Sequence, residues 1–459
     1  MRLMLLLLLP LVLANPIYLP LLQTPLGTPN LAVDFAGYLG GAGADAASAV
    51  EIAPDNTLLV AGTVSTTFAG IPVTTLPGGT TGSLLRLDGT TGAPRAQLRI
   101  GTTVTDLDIA TDGAPLVCGD FGVAAVLPDL SGTRWTAALG NITRCSMGSD
   151  GTSAALLGGN VFVHAPDGTL LRSFAVAGSV RNDLVVDGAN ARVIVTGYSQ
   201  RDVAGFCSGQ LQVAFVRAYT YNGDLSWTAY DQSAAAAGGA NLCADTRGER
   251  LAIGRDGLLY FAASINGGTG ASIVARDPQD IGLDPGARNV ARDDYNRATN
   301  VGSVKMTWFG RYNPQTGALL LGSSLLTRLS NSRGNSIVAK TLMADAQGRV
   351  YLAGDTACCS EARDTRRVAG QTVGTYEGGE AFLAVLSADM TTRLVWTPFA
   401  ATGAKAGGSP AVGVAVRGDR AALVATFAPT PGRAMITSVG PQTAPGGAAD
   451  MYVVGWRTD

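Results

Sequence analysis

Apolar residues run through this chain in short bursts, and the bursts come in pairs joined by a tight polar turn on Asp, Asn or Gly. In order the copies are EIAPDNTLLVAGT, DIATDGAPLVCGD, SMGSDGTSAALLGG, VVDGANARVIVTGY, AIGRDGLLYFAAS, MADAQGRVYLAGD and AVRGDRAALVATF. Two short apolar runs about a turn predict a β-hairpin, and a hairpin that recurs as a unit predicts a repeat architecture. Each copy is followed by a second hairpin: SLLRLDGTTGAPRAQLRI, VAAVLPDLSGTRWTAAL, NVFVHAPDGTLLRSFAV, VAFVRAYTYNGDLSWTAY, MTWFGRYNPQTGALLLGS and AFLAVLSADMTTRLVWTP. One unit therefore carries four strands, A to D from the axis outward. The seventh copy has only DMYVVGWRTD after it, a C strand without its D strand. A lone strand stands before the first copy, LAVDFAGYLGG, Leu31 to Gly41, and pairing it with Met451 to Trp456 would close a ring. The expectation is an all-β, seven-bladed β-propeller of four-stranded antiparallel blades, with the N-terminal strand closing the last blade.

The A–B turns fall near Asp55, Asp112, Asp150, Gly188, Asp256, Gln347 and Gly418, so successive spacings are 57, 38, 38, 68, 91 and 71. The 38-residue units are bare blades. The excess enters between strands B and C: Thr63 to Gly82, Ser199 to Gln212, Ile265 to Lys305, Thr356 to Glu380 and Ala428 to Asp450. B–C and D–A connections share one face of a propeller, so these insertions are expected to crowd one mouth of the channel, where binding usually lives.

Composition fits turn-dense sheets: Gly is 60 of 459, and charged residues are 15% where about 25% is usual. The 33 basic and 35 acidic side chains nearly cancel. No global field recommends nucleic acid or an anionic membrane as partner. The N-terminus, MRLMLLLLLPLVLANP, reads as a secretory signal with cleavage after Ala14, its apolar stretch too short to span a bilayer. Residues 1–14 are thus a signal peptide, 15–30 a Pro-rich leader and 31–459 a single propeller, soluble and secreted or otherwise extracytoplasmic, in the periplasm or at the cell surface.

Six cysteines in an exported chain invite pairing. Cys118 with Cys145 would staple neighbouring sheets, Cys207 with Cys243 would join two loops of one face, and the adjacent Cys358 and Cys359 would form a vicinal bridge.

The longest insertion contains ARDPQDIGLDPGARNVARDDYNRATN, in which Arg276, Arg288, Arg292 and Arg297 alternate with Asp280, Asp284, Asp293 and Asp294, with Tyr295 among them. The insertion of the sixth unit offers the same mixture in Arg366, Arg367, Tyr376 and Glu377. Guanidinium forks, carboxylates and an aromatic face are what a polysaccharide or a polar protein surface requires. Catalytic constellations are scarce. His164, the one histidine, lies in a strand of a bare blade, which leaves a Ser-His-Asp triad and His-rich zinc sites without material. No Gly-rich phosphate loop opens a helix, no cofactor and no metal site is expected, and Arg417-Gly418-Asp419 occupies an ordinary turn. Asp106 and Asp108 flank Leu107 in an A strand and should face the channel.

The segment FAGYLGGAGADAASAVEIAPDNTLLVAGTVSTTF, Phe35 to Phe68, resembles the bacterial seven-bladed propeller repeat called the SBBP repeat, at Phe35, Leu39, Gly40, Gly41, Asp45, Ala49, Gly62 and Phe68. AFVRAYTYNG and AFLAVLSADM resemble its C strand. The resemblance implies an exported or cell-surface propeller and supplies no catalytic residue. The function expected is a non-catalytic binding or structural module presenting its B–C loops to a polysaccharide, envelope component or protein partner; the alternative is a polysaccharide hydrolase or lyase running on carboxylates.

Overall fold

The computed structural model describes residues 27–203, 205, 207, 209–291, 304–329, 334–358, 360–376, 378–402 and 408–459. Residues 1–14, expected as a signal peptide, and residues 15–26 of the expected leader lie outside the described residues. So do Arg292, Asp293, Asp294, Tyr295, Arg297, Cys359 and Glu377.

The chain is an all-β propeller. Each hairpin pair forms one antiparallel sheet, from Ala46–Ile52, Leu58–Thr63, Gly82–Leu87 and Pro94–Arg99 in the first repeat to Ile337–Ala344, Val350–Thr356, Glu380–Leu386 and Arg393–Pro398 in the sixth. The last sheet takes Ala411–Arg417, Arg420–Phe427 and Asp450–Arg457, and its outer strand is Phe35–Leu39, antiparallel with Tyr38 opposite Tyr452. The A strands touch one another in cyclic order around a central channel.

The expectation of seven uniform four-stranded blades is corrected by the sheets themselves. The described residues form eight sheets of three or more strands. The additional one joins Asn30–Leu31, in parallel, to Arg367–Val368, which pairs in turn with Gln371–Thr372. Two other sheets carry a fifth strand, Val73–Thr75 in the first repeat and Asn289–Ala291 in the fifth, each parallel to the D strand of its own sheet. In the two five-stranded sheets inserted chain returns to the margin and satisfies backbone groups that an open edge would leave unpaired. In the three-stranded sheet a hairpin of the sixth repeat's insertion pairs with the chain before the first repeat.

The sequence signature at the closure has a steric explanation. Asp45 is fully buried and accepts hydrogen bonds from the N–H groups of Gly41, at 2.6 Å, and Ser65. A Cβ at Gly40 would lie 2.0 Å from Asp450 Oδ1 and 2.6 Å from Asp45 Oδ2, so the position accepts only glycine.

Neighbouring sheets are latched at the rim by a recurring contact. An aromatic ring on one D strand lies over a positive-φ glycine in the C–D turn of the next sheet: Phe35 on Gly92, Trp135 on Gly168, Phe174 on Gly223 and Trp227 on Gly317. The indole N–H groups of Trp135 and Trp227 also donate to the carbonyls of Pro166 and Pro314 in those turns, both at 3.0 Å. Where no aromatic is present an arginine of the C strand takes over. Arg86 donates to the Pro128 carbonyl, and Arg311 to the Ala388 carbonyl at 2.7 Å. His164 belongs to one of these latches, buried and stacked on Trp135 with ring centroids 5.7 Å apart. Burial lowers its pKa, which favours a neutral, structural imidazole.

Candidate functional site: loop face and central channel

Cys118–Cys145 and Cys207–Cys243 are disulfides, with Cα atoms 6.2 and 5.6 Å apart. The second ties the B–C loop of the fourth repeat to the chain entering the fifth. Among the described residues no cysteine is free. Asp106 lies beside Cys118 and Cys145, but both sulfurs are committed to their disulfide and offer no thiolate to a metal.

On the loop face the insertions are seated rather than loose. In the fifth repeat the 3-10 turn Ile273–Ala275 is buried, and its Ile273 and Val274 join the same apolar cluster as Leu211 and Trp308. Arg276 follows it, half-exposed. Asp280 and Asp284 are exposed and shape turns by accepting from the N–H groups of Gly282 and Gly286, at 2.9 and 3.0 Å. Arg288 is exposed and pairs with Asp277 at 3.5 Å. In the sixth repeat Arg363 and Glu380 form a buried ion pair at 2.7 Å, and Glu361 holds the buried Arg393 at 2.7 Å. Arg366 is buried, Arg367 exposed and Tyr376 half-buried. The structure thus leaves Arg276, Asp280, Asp284, Arg288 and Arg367 at the surface, while Arg366 is part of the packing.

The channel is lined by the A strands of all seven repeats and holds a cavity of about 410 Å³. Asp106 and Asp108 line it. These acids bridge inner strands: Asp106 accepts from Cys145 N–H at 3.1 Å, Asp108 from Met147 N–H at 2.8 Å, and Asp183 from Leu251 N–H at 2.9 Å. Arg144 stands between Asp106 and Asp183, at 4.0 and 3.5 Å. Burial nevertheless pushes Asp106 up to about 6, against the pull of Arg144, and raises Asp183 as well.

Glu51 differs from these acids in reaching across the channel. It comes from the first repeat and meets Arg255 of the fifth, with Oε2 and Nη2 3.4 Å apart. Burial pushes its carboxyl up to about 7, only partly offset by Arg255, while Asp108 and Asp106 add to the rise. Arg417 of the seventh repeat lines the same cavity, and Asp419 is engaged by Arg457 at 2.6 Å. The Arg-Gly-Asp triplet is therefore divided between channel and rim and is not displayed as one motif. Sequence reasoning missed Glu51, Arg255 and Arg417. The signal available was a charge inside or just beyond an otherwise apolar A strand, the same signal that singled out Asp106 and Asp108.

No family model and no curated protein matches the chain. Among solved structures it is similar to one titled "Structure of U3-55K", over 89% of this chain and 95% of that one, with 7% identity and a TM-score of 0.48.

Proposed function

We propose that this chain is an exported, SBBP-type propeller that works as a binding or structural module at the cell surface or in the periplasm. It presents the polar side chains of its B–C loops to a polysaccharide, envelope component or protein. One observation carries the reading: the long insertions are held in place by buried turns, ion pairs and a disulfide while their remaining polar groups stay at the surface. Preorganised loops lose little conformational entropy on binding. The two disulfides and the apolar N-terminal segment support an oxidising destination.

A second reading is favoured by a specific group. Glu51 holds its proton up to about pH 7 in a cavity it shares with Asp106 and Asp108, as a general acid must. Carboxylate-dependent cleavage of a polysaccharide is the activity that would follow. Both readings are tested by incubating the protein with a panel of envelope and extracellular polysaccharides and measuring retention and shortened products by mass spectrometry. Retention without products, weakened by Asp280→Ala or Arg367→Ala, supports the binding module. Products that disappear in Glu51→Gln would replace it with the enzyme.

A further inference from the structure

The turn-side mouth of the channel, opposite the B–C loops, contains a pair of arginines that neither reading uses. Arg255 lies just beyond its A strand and turns inward, its Nε donating to the Val416 carbonyl at 3.3 Å. That bond, made across the sixth repeat's position in the ring, seats it beside Arg417, the last residue of the seventh repeat's A strand. Glu51 pairs with Arg255 at 3.4 Å and attracts Arg417 only at longer range. The other cations of the cavity are engaged: Arg144 by Asp106 and Asp183, Lys340 by Asp355 at 4.0 Å, and Arg250 by the backbone carbonyls of Lys340 and Glu249. Arg417 is the exception. Among the described residues it has no ion-pair partner, and its buried Nε has no acceptor. Two guanidinium groups in one cavity, one of them unsatisfied, repel each other and leave hydrogen-bond donors idle.

We infer that this mouth is a binding site for a carboxylate- or phosphate-type anion, received between Arg255 and Arg417. A guanidinium fork matches the two oxygens of a carboxylate or phosphate, and the cavity of about 410 Å³ is of the size that takes small molecules. The anion supplies the acceptors that Arg417 lacks and relieves its repulsion with Arg255. Its source is either a free small anion or an acidic group carried on a macromolecule, and the two are separable by experiment.

The test is isothermal titration of the full folded chain with inorganic phosphate, succinate and a tetraglutamate peptide in turn. Saturable binding at one site is expected with at least one probe, weakened at least about tenfold in Arg417→Gln and less in Arg417→Lys, which keeps the charge without the fork. Arg457→Gln, which alters a surface cation of the same face, should bind as the parent chain does. Preference for phosphate or succinate assigns a free anion, and preference for the peptide assigns a macromolecular acid. Absence of saturable binding with all three probes, or equal binding by a folded Arg417→Gln, overturns the inference. Polysaccharide retention belongs to the opposite face and should survive Arg417→Gln, so failure here and failure of the proposed function are distinguishable.

Discussion

Repeats two to four and the remaining repeats meet the same problem, an outermost strand with unpaired backbone groups, in different ways. In the first and fifth repeats a segment of the B–C insertion lies parallel to the D strand. In the last sheet the insertion reaches Phe35–Leu39, where Tyr38 N–H donates to the Gln442 carbonyl at 2.8 Å. In the sixth, Gly27 N–H donates to the Arg393 carbonyl at 2.6 Å. Among the described residues the D strands Thr133–Ala137, Leu170–Ala175 and Leu225–Ala229 end their sheets with no further strand. Leu170 and Leu171 are each 50% exposed and Leu225 is 55% exposed. The difference assigns much of the inserted sequence a structural task, edge protection, before any binding task. It also shows that the bare sector stands on its aromatic latches and the Cys118–Cys145 staple.

The covered edge should be the harder one to damage lightly. Phe35 is fully buried, packs with Leu85, Met451 and Val453, and lies across Gly92 and Gly455. Phe35→Ala should cost roughly 3–5 kcal/mol, read as a lowered denaturant midpoint. A loss below about 1 kcal/mol would mean that the closing strand is dispensable.

The two sectors meet in the channel, where Glu51 comes from a covered sheet and Asp106 and Asp108 from a bare one. Glu51 titrates at about 7 in the fold against 4.5 for the ordinary side chain, so the folded chain binds its proton more tightly than the unfolded one. This stability is present in full below the unfolded value and is lost as pH rises to about 7, a change of about 3 kcal/mol for one group. Glu51→Gln should flatten the fall in stability between pH 4.5 and 8, leaving the smaller slope due to Asp106 and Asp183. An unchanged slope in urea titrations at the two pH values would remove Glu51 from the account.

Within the bare sector the latches can be broken one at a time. Gly168 has φ +88°, and a Cβ there would lie 2.6 Å from the Trp135 ring. Gly257 has φ +76° and open space around it. Both changes to Ala carry the left-handed backbone cost of about 1–2 kcal/mol, and Gly168→Ala must in addition displace Trp135. The excess over Gly257→Ala measures the latch, and equal losses would show that the ring contributes nothing there.

Much of this was legible in the chain. Seven hairpin copies, the lone strand at Phe35–Leu39 and the pairings of Cys118 with Cys145 and Cys207 with Cys243 all follow from local patterns or from placement in adjacent units. The return strands Val73–Thr75 and Asn289–Ala291 did not show, because each is three residues long and is strand only by virtue of the edge it covers. The three-stranded sheet joins residues more than 300 positions apart, Asn30 with Arg367, and has no local signature. The same limit hid the channel cluster: Glu51, Arg255 and Arg417 belong to three repeats and converge only when the ring closes. Loop charges such as Arg363 and Glu380 were visible, but nothing in the sequence distinguished a buried pair from a surface one.

The smallest effect should come from the most exposed strand. Leu170–Ala175 is exposed at nearly every position, so Leu170→Lys removes little buried surface and places a charge on an open edge. Its cost should stay within about 0.5 kcal/mol, and the charge should oppose strand-to-strand association of the bare sector. Urea denaturation together with sedimentation velocity at rising protein concentration reads both effects. A loss near that of Phe35→Ala, accompanied by a fall in sedimentation coefficient, would mean that another copy of the chain covers this edge in solution, and the contrast between the two sectors would then be one of cis against trans protection.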